Sequence, residues 1–334
     1  MYSLKVHILL VCLLMSVTSF AGDACAWYAN QQDYLDCPDD FYAPAMAQAN
    51  AITKVKPSKP IMKCKPMLKS GIRGLWDFSS DCILPMTQNK GWEANATAFF
   101  ARTKGKVRYA SGTFATFGTF GLADDLDMNS DLGVPDHGVI GEFSIAYRFR
   151  PNWSVKYTIM PMLMNGSGQP GRLVVFGSTT FNSAQNISSK WERLQQSIGL
   201  VYDPISSRST RLSVFGGYLR VNEKLAVFQP GCCGSTMDND LNMGLVSLEL
   251  EKCLKQTRTC NTLSLQCGAG VAFGDDGFGS DLMTGLKYSI PLNSGRWGYV
   301  KGGYRFMSYK KKYSDVKIFD TAMEGGFLQM GIVF

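Results

Sequence analysis

The sequence predicts an all-β protein: a closed, antiparallel, up-and-down β-barrel that crosses a membrane with its strands. The first observation is the C-terminus, where Leu328, Met330, Ile332 and Phe334 fall on one side of an extended strand. The second is the period-two alternation of apolar and polar residues from residue 91 onward, which is typical of strands. The third is the alternation of short and long links between these strands, which is typical of membrane barrels.

We predict about ten strands, with eight or twelve as alternatives. They are assigned near 92–102, 138–149, 152–163, 190–203, 210–222, 240–253, 261–273, 281–292, 296–309 and 318–334. The short links are 151–152, 204–209, 255–259 and 293–295, and the others are 103–137, 164–189, 223–239, 274–280 and 310–317. Residues 173–176 and 179–181 are interpreted as a possible strand pair above the membrane. An even number of strands returns both ends of the barrel to the same side of the membrane.

A soluble β-sandwich is the main alternative, because its strands alternate in the same way. The apolar face that runs to the last residue favours the barrel. After the N-terminal segment, no stretch of the sequence reaches 18 uninterrupted apolar residues, which excludes membrane-spanning helices. The formal net charge of +7 is spread along the chain, so we expect no nucleic-acid partner.

The N-terminal residues 1–21 are interpreted as a cleaved signal peptide. Lys5 precedes an apolar run from residue 6 to 17, and the small residues of Ser19-Phe20-Ala21 suit a cleavage site. The run is too short for a stable transmembrane helix. A lipoprotein anchored through Cys25 is the competing interpretation, but the sequence lacks the leucine-type residue expected three places before a lipidated cysteine.

The signal, the alternating strands, the rhythm of links and the terminal Phe334 resemble small Gram-negative outer-membrane β-barrel proteins over residues 91–334. The resemblance implies a location in the outer membrane, in contact with its lipid and with lipopolysaccharide. It also implies that Leu328, Met330, Ile332 and Phe334 form the signal that the barrel-assembly machinery reads. It implies no activity, because the same barrel hosts anchors, adhesins, channels and enzymes.

Residues 22–90 are predicted to be a Cys-rich periplasmic extension or a plug at the lower mouth of the barrel. A dedicated module that binds cell-wall polymer or a partner protein is the alternative. Nine of the ten cysteines lie outside the signal, which indicates an oxidising compartment. The disulfide candidates are Cys25, Cys37, Cys64, Cys82, Cys232, Cys233, Cys253 and Cys260, with their connectivity left open. The odd number leaves at least one thiol free or paired outside the chain.

Alternation also predicts which charged side chains face the lumen. The apolar side of each strand must face lipid, because Lys or Arg there costs about 2–4 kcal/mol at the midplane. The predicted inward charges are Glu142, Arg148, Lys156, Arg193, Glu249, Glu251, Lys287, Lys301 and Arg305. A barrel of this size is narrow, and an unpaired buried ion costs several kcal/mol. We therefore predict a lumen crossed by salt bridges and closed to bulk solute.

An enzyme is not expected. Barrel enzymes that modify lipid or cleave peptides generally use a histidine beside an acid or a nucleophile. His137 is the one histidine outside the signal, next to Asp136, with Ser130 and Ser144 as the nearest candidate nucleophiles. Neighbours in a Gly- and Pro-flanked loop are more often a turn at the mouth of a strand, so no catalytic residue is predicted.

We also expect no metal and no cofactor. The acidic run of residues 124–131 could wrap around Ca²⁺, but its spacing misses the EF-hand pattern, and a solvated loop is favoured. Lys310-Lys311-Lys312 could meet lipopolysaccharide phosphates.

The sequence therefore favours a non-enzymatic surface, envelope-structural or adhesion-type protein that makes its contacts through outer loops. The alternatives are a narrow channel or a transporter of hydrophobic or lipid ligands, and, third, a lipid-modifying barrel enzyme that uses His137. An extracellular or periplasmic protein partner is compatible with each of these functions.

Overall fold

The computed structural model of the chain describes residues 82, 84, 91–109, 125–257, 260–274, 277–292, 296–314 and 317–334, without the side chains of 312–314. The predicted signal and the extension, apart from Cys82 and Leu84, lie outside these residues. The same holds for the disulfide candidates Cys25, Cys37 and Cys64. Within the described residues, no helix is long and apolar enough to cross a membrane.

The described residues form thirteen strands. The first seven are β1 (Gly91–Tyr109), β2 (Leu126–Asp127), β3 (His137–Arg150), β4 (Trp153–Gly168), β5 (Val174–Phe176), β6 (Thr179–Phe181) and β7 (Ile187–Ser206). The other six are β8 (Thr210–Phe228), β9 (Gly234–Gln256), β10 (Thr262–Gly274), β11 (Gly277–Pro291), β12 (Trp297–Ser314) and β13 (Lys317–Val333).

Ten of these strands close into one antiparallel barrel. Their order is β1, β3, β4, β7, β8, β9, β10, β11, β12 and β13, and β13 pairs with β1 from Glu93↔Val333 to Tyr109↔Lys317. The short β2 adds to β1, and β5 and β6 form a separate hairpin, as predicted for that segment. The predicted fold class and strand number are confirmed. Closure leaves no unpaired sheet edge, which a membrane-spanning sheet requires.

The two ends of the barrel differ. The lower end carries both barrel termini and the tight turns after β3, β7, β9 and β11. There the amide of Trp92 donates to the carbonyl of Phe334 at 2.6 Å, and the amide of Phe334 donates back at 2.8 Å. Phe334 is therefore hydrogen-bonded to β1, next to the β1–β13 pairing that closes the barrel. The upper end carries the connections that follow β1, β4, β8, β10 and β12.

The lower part of the outer surface is an apolar band. Outward side chains such as Phe143, Ile198 and Met330 are 55%, 52% and 59% exposed, although the first two lie in the middle of their strands. On β1 the band runs from Trp92 to Phe100, which is about the nine to eleven tilted residues that span a hydrocarbon layer. Trp92 stacks against Tyr147 with ring centroids 4.6 Å apart, in the manner of an interfacial aromatic girdle.

Above the band, the strands continue and their polarity reverses. On β8 the outward residues are Arg220, Asn222 and Lys224, whereas the inward residues, Val221 and Leu225 among them, are buried. This corrects the prediction of an outer loop over 223–239, because only 229–233 connect β8 to β9. The prediction ended the strand where the lipid-facing pattern stopped. The strand itself goes on, with water outside and apolar side chains inside.

The interior of this upper part is an apolar cluster, which we call the outer core. It contains eight methionines: Met128, Met160, Met162, Met164, Met237, Met243, Met307 and Met323. Aromatic residues, among them Phe99, Trp191 and Phe319, fill the space between them. The barrel thus has a membrane-embedded lower part and a water-exposed upper part with its own hydrophobic core.

Placing a charge on the band tests this assignment. Ile198→Arg should destabilise the folded barrel by about 2–4 kcal/mol, because Ile198 lies in the middle of the apolar band on β7. Ser188→Arg, on the same strand and face but above the band, should change the free energy of unfolding by less than about 1 kcal/mol. Urea unfolding in lipid vesicles measures both. Equal losses for the two variants would contradict a hydrocarbon-facing band.

Candidate functional site

The lumen of the lower part is lined by charged side chains that pair across it. Along β12, the inward positions from the lower end upward include Tyr299, Lys301, Gly303, Arg305, Met307 and Tyr309. The lining therefore changes from charged to apolar. We call the charged region below Met307 the charged lumen. It is the candidate site, because channel and plug functions both depend on how these charges are arranged.

Arg305 bridges the charged lumen at its upper limit. Its guanidinium lies 2.6 Å from the carboxylate of Asp281 on neighbouring β11 and 2.7 Å from that of Glu142 on β3. The β12 and β3 strands are separated by β13 and β1, so the second pair spans part of the lumen. The guanidinium of Arg305 and the carboxylates of Asp281 and Glu142 thus form one network of charge-assisted hydrogen bonds.

Glu251 on β9 is the centre of a second cluster lower in the lumen. Arg211 on β8 approaches its carboxylate to 2.6 Å and Lys287 on β11 to 3.2 Å. The hydroxyl of Ser264 on β10 donates to the same carboxylate at 2.9 Å. Lys287 also lies 4.6 Å from the ring centroid of Tyr299. Side chains from five neighbouring strands, β8 to β12, therefore meet around the buried carboxylate of Glu251.

A third pair lies at the lower turns. Arg148 on β3 binds the carboxylate of Asp203 on β7 at 2.9 Å, and it also donates to the carbonyl of Pro151 at 2.6 Å. The hydroxyl of Ser213 on β8 donates to Asp203 at 2.6 Å. This pair joins three strands just inside the lower mouth.

The remaining predicted lumen charges have weaker or indirect partners. Gln266 donates a hydrogen bond to Glu249, and the positive charges of Lys301 and Lys156 act on the same carboxylate. The ammonium of Lys301 lies 3.1 Å from the sulfur of Met283 and 5.3 Å from the ring centroid of Phe327. Opposite charges thus face one another throughout the charged lumen.

Arg193 behaves differently from the other predicted charges, because it lies within the outer core. Its guanidinium is 3.1 Å from the carboxylate of Glu223, and both side chains are 0% exposed. Asn239 donates to Glu223 at 3.1 Å, and the guanidinium carbon lies 4.3 Å above the ring of Tyr309. This is an ion pair sealed among apolar side chains, where the loss of either partner would leave an uncompensated charge.

A cap covers the upper mouth; it consists of residues 125–136 and 172–181. Phe176 and Phe181 are buried, and the ring of Phe176 packs edge-on against Tyr109 at 5.3 Å. The amide of Gly177 donates to the carbonyl of Tyr109 at 2.8 Å, which attaches the hairpin of the cap to the end of β1. Thr179 donates to the carbonyl of Gly234 at 3.3 Å, on the far side of the mouth.

The two parts of the cap are joined to each other. Arg172 lies 3.0 Å from the carboxylate of Asp131 and donates to the carbonyl of Asp125 at 3.1 Å. Leu132 is fully buried beneath them and belongs to the outer core. Met128 is held to β1 by its amide, which donates to the carbonyl of Gly105 at 2.9 Å. Between the cap and the charged lumen, the described residues fill the barrel with packed side chains.

The lower mouth carries the only described part of the predicted extension. Cys82 forms a disulfide with the inward Cys253 of β9, and the amide of Leu84 donates to the carbonyl of Arg208 at 2.6 Å. Cys260 is also disulfide-bonded. Cys232 and Cys233, which were also disulfide candidates, are exposed free cysteines instead.

Beside this rim lies a small pocket with an empty volume of about 270 Å³, part of which is open solvent. Its lining residues are Glu93, Arg211, Lys287, Ser289, Trp297, Tyr299 and Val333. Its charged lining residues are Arg211 and Lys287, which both pair with Glu251, and Glu93, which accepts a hydrogen bond from Tyr299 at 2.8 Å. Each charged side chain of the lining therefore already has a partner within the protein.

Sequence reasoning missed three charged partners: Asp203, Arg211 and Glu223. Asp203 and Arg211 lie next to a turn, where alternation is hard to follow. Glu223 lies one residue beyond the predicted end of its strand. The signal that could have found it is the continued spacing of Val221, Glu223 and Leu225 on one face.

His137, the candidate for a catalytic residue, lies on the outside of the barrel at the start of β3. Its Nδ1 lies 2.7 Å from the carboxylate of Asp136, and both side chains are more than half exposed. The hydrogen bond from His137 lowers the pKa of Asp136. Ser144 is buried on the opposite, inward face of β3, whereas Ser130 is exposed in the cap. Within the described residues, neither serine bonds to His137.

The acidic run in the cap uses its carboxylates to shape turns. Asp127 accepts hydrogen bonds from the amides of Asn129 and Ser130, both at 2.9 Å. Asp131 accepts the amide of Asp127 at 3.0 Å and also pairs with Arg172. In the part of the chain that the structure describes, no group of three acids, histidines or cysteines is placed to hold a metal ion.

Immediately above the apolar band, β1 presents a row of basic side chains, which we call the basic column: Arg102, Lys104, Lys106 and Arg108. Lys104 pairs with Glu324 at 3.1 Å, and Arg108 pairs with Asp125 at 2.9 Å. Lys310 on β12 is close to this column, because it pairs at 3.3 Å with Asp320 of β13, the strand next to β1. Lys311 points inward instead and donates to the carbonyl of Asp240, so the predicted run of three lysines does not form one surface.

No family model matches the sequence, and no curated protein sequence matches it. Among solved structures, the chain is similar to the outer-membrane protease OmpT of Escherichia coli, with a TM-score of 0.38 and 10% identity over 74% of this chain and 97% of that one. It is similar to the β-domain of the Bordetella autotransporter BrkA, with a TM-score of 0.37 and 10% identity over 74% and 99%.

A third similar structure is Ail, the attachment invasion locus protein of Yersinia pestis, with a TM-score of 0.34 and 9% identity over 73% of this chain and 99% of that one. At these identities and TM-scores, the likeness does not transfer an activity.

The buried pair of Arg193 and Glu223 generates a prediction. Arg193→Met should destabilise the barrel by about 3–5 kcal/mol, because it leaves Glu223 charged and unpaired in the outer core. The double variant Arg193→Met with Glu223→Leu should be close to neutral or stabilising, since no charge is then left buried.

Lys190→Met on the same strand is the matched control. It removes an exposed pair with Glu192 and should change stability by less than about 1 kcal/mol. Urea unfolding in lipid vesicles measures all three variants. A double variant that is as unstable as the single one would show that the carboxylate is not the source of the loss.

Proposed function

We propose that this chain is an integral protein of a Gram-negative outer membrane that acts at the cell surface without catalysis, as an envelope-structural or adhesion-type protein. The lower end then faces the periplasm and the upper end faces the exterior. This orientation agrees with both barrel termini and the tight turns lying at one end.

The observation that carries the proposal is the filled interior. The charged lumen is crossed by the pairs around Arg305, Glu251 and Asp203, and the outer core and the cap lie above it. An aqueous path would have to break buried ion pairs and expose an apolar core, each at a cost of several kcal/mol. The strand extensions above the band are the parts left to make contacts, because their outer faces are polar and exposed.

The basic column supports contact with the outer leaflet. Its exposed cations lie next to the upper edge of the apolar band, at the level where phosphate groups of outer-membrane glycolipid lie. Exposed ion pairs such as Lys104 with Glu324 are weak, so they leave these cations available to other anions. Lipopolysaccharide is the partner that this arrangement fits.

A hydrophobic-ligand transporter is the second candidate. The outer core favours it through its eight methionines, since unbranched thioether side chains repack easily around apolar guests. The cap, held partly by the exposed Arg172, would then have to lift. A lipid-modifying enzyme has less support, because His137 has only Asp136 as a partner within the described residues. Measuring whether the wild-type protein changes the acyl chains of lipid A tests the enzyme hypothesis.

Conductance tests the filled interior. The purified, folded protein should give no steady open current in a planar lipid bilayer, because ion pairs and packed side chains close its lumen. A general porin inserted in the same bilayer is the positive control. A steady current from the wild-type protein would contradict the proposal and favour the narrow channel. Uptake of an apolar dye into protein-containing vesicles would favour the transporter.

Neutralising the basic column tests the lipid contact. Arg102→Gln with Lys106→Gln should lower binding to lipopolysaccharide-containing vesicles by about tenfold or more, at about 1 kcal/mol for each cation. The control Lys190→Gln with Lys224→Gln removes two outward cations from other strands and should change binding less. Both measurements need low salt, because screening weakens such contacts. Equal binding by the two double variants would remove the basic column as the contact.

A further inference from the structure

The tip of the hairpin between β8 and β9 carries two adjacent thiols. Cys232 and Cys233 are both exposed and free, although the compartment inferred from cysteine usage is oxidising. They lie in a tight turn, where the amide of Gln229 donates to the carbonyl of Cys233 at 2.8 Å and Gly231 has a φ of 78°. The turn closes directly on the last strand pair, Phe228↔Gly234.

The two thiols lie in hydrogen-bonding contact with each other, but a disulfide between adjacent residues is strained. Cα atoms of neighbouring residues are about 3.8 Å apart, whereas disulfides usually join Cα atoms about 4.4–6.8 Å apart. The other described cysteines do not offer a partner on the same barrel. Cys82, Cys253 and Cys260 are already in disulfides, and the first two lie at the lower mouth. Cys267 lies on the outward face of β10, within the apolar band.

The surface around the thiols suits contact with a second copy of the same tip. Residues 225–237 contain no charged side chain, so two such tips approach without charge repulsion. Phe228 is 43% exposed beside the turn and offers an apolar contact. Two copies in one bilayer share their orientation and height, which brings identical tips to the same level above the membrane. This last point rests on the proposed membrane insertion.

We propose that Cys232 and Cys233 form a covalent cross-linking site that joins two copies of this chain, tip to tip, on the upper side of the membrane. A thiolate of one copy attacks a small-molecule disulfide, which gives a mixed disulfide and releases one small thiol. A thiolate of the second copy then attacks the mixed disulfide, forms the bond between the copies and releases the second small thiol. Two protein thiols are oxidised, and one small disulfide is reduced to two thiols.

The test uses the full-length protein, folded in lipid vesicles and exposed to oxidised glutathione. A dimer should appear on non-reducing gels and disappear with reductant. Tandem mass spectrometry should place the bond at residues 232–233. Cys232→Ser and Cys233→Ser alone should each still give the dimer, because one thiol per copy is enough. The double variant should lose it. Cys267→Ser is the matched control and should dimerise like the wild type.

Blocking the wild-type thiols with a maleimide before oxidation should also abolish the dimer, and this needs no substitution. Heat-modifiable gel mobility under reducing conditions reports folding separately, so a failure of membrane insertion is recognised on its own. A folded protein that stays monomeric would overturn the cross-linking site. So would a dimer that persists in the double variant, or an oxidised monomer that has lost both thiols to a bond within the tip.

Discussion

The apolar band constrains every other part of the molecule, because hydrocarbon offers no partner for a backbone N–H or C=O group. The sheet must therefore close, and β13 must pair with β1 down to the hydrogen bonds between Trp92 and Phe334. Once outward positions are apolar, every charge on a membrane-embedded strand has to point inward. A narrow lumen then receives acids and bases from many strands, and they are stable there only as partners of one another.

The upper part follows the opposite rule with the same strands. Water lies outside the extensions of β7, β8 and β9, so polar residues turn outward and apolar residues fill the interior. The change of solvent along one strand explains why the outer core and the charged lumen are stacked in a single barrel. The pair of Arg193 and Glu223 is an exception, because it places two charged side chains inside the apolar outer core. There a charged interior, as in the lower part, occurs within the apolar interior of the upper part.

The fold was largely predictable. The ten strands, their order and the outward apolar faces follow from alternation, which depends only on side-chain spacing. The strand ends were less predictable, because the sequence carries no direct mark of the membrane surface. The inversion of polarity near Arg220 on β8 looks like the end of a strand in the sequence, and it predicts a loop at Glu223. The inward direction of most lumen charges was predictable, but their partners were not.

What the sequence determined by itself is periodic: which face of each strand meets lipid and about how many strands cross. These properties depend on neighbours two residues apart. The tertiary structure alone decided the long-range pairs, such as Arg305 with Glu142 and Cys82 with Cys253, which are separated by 163 and 171 residues. Such pairs depend on the curvature and register of the closed barrel. The same holds for the cap, whose contacts with Tyr109 and Gly234 exist only after the strands have brought both to one mouth.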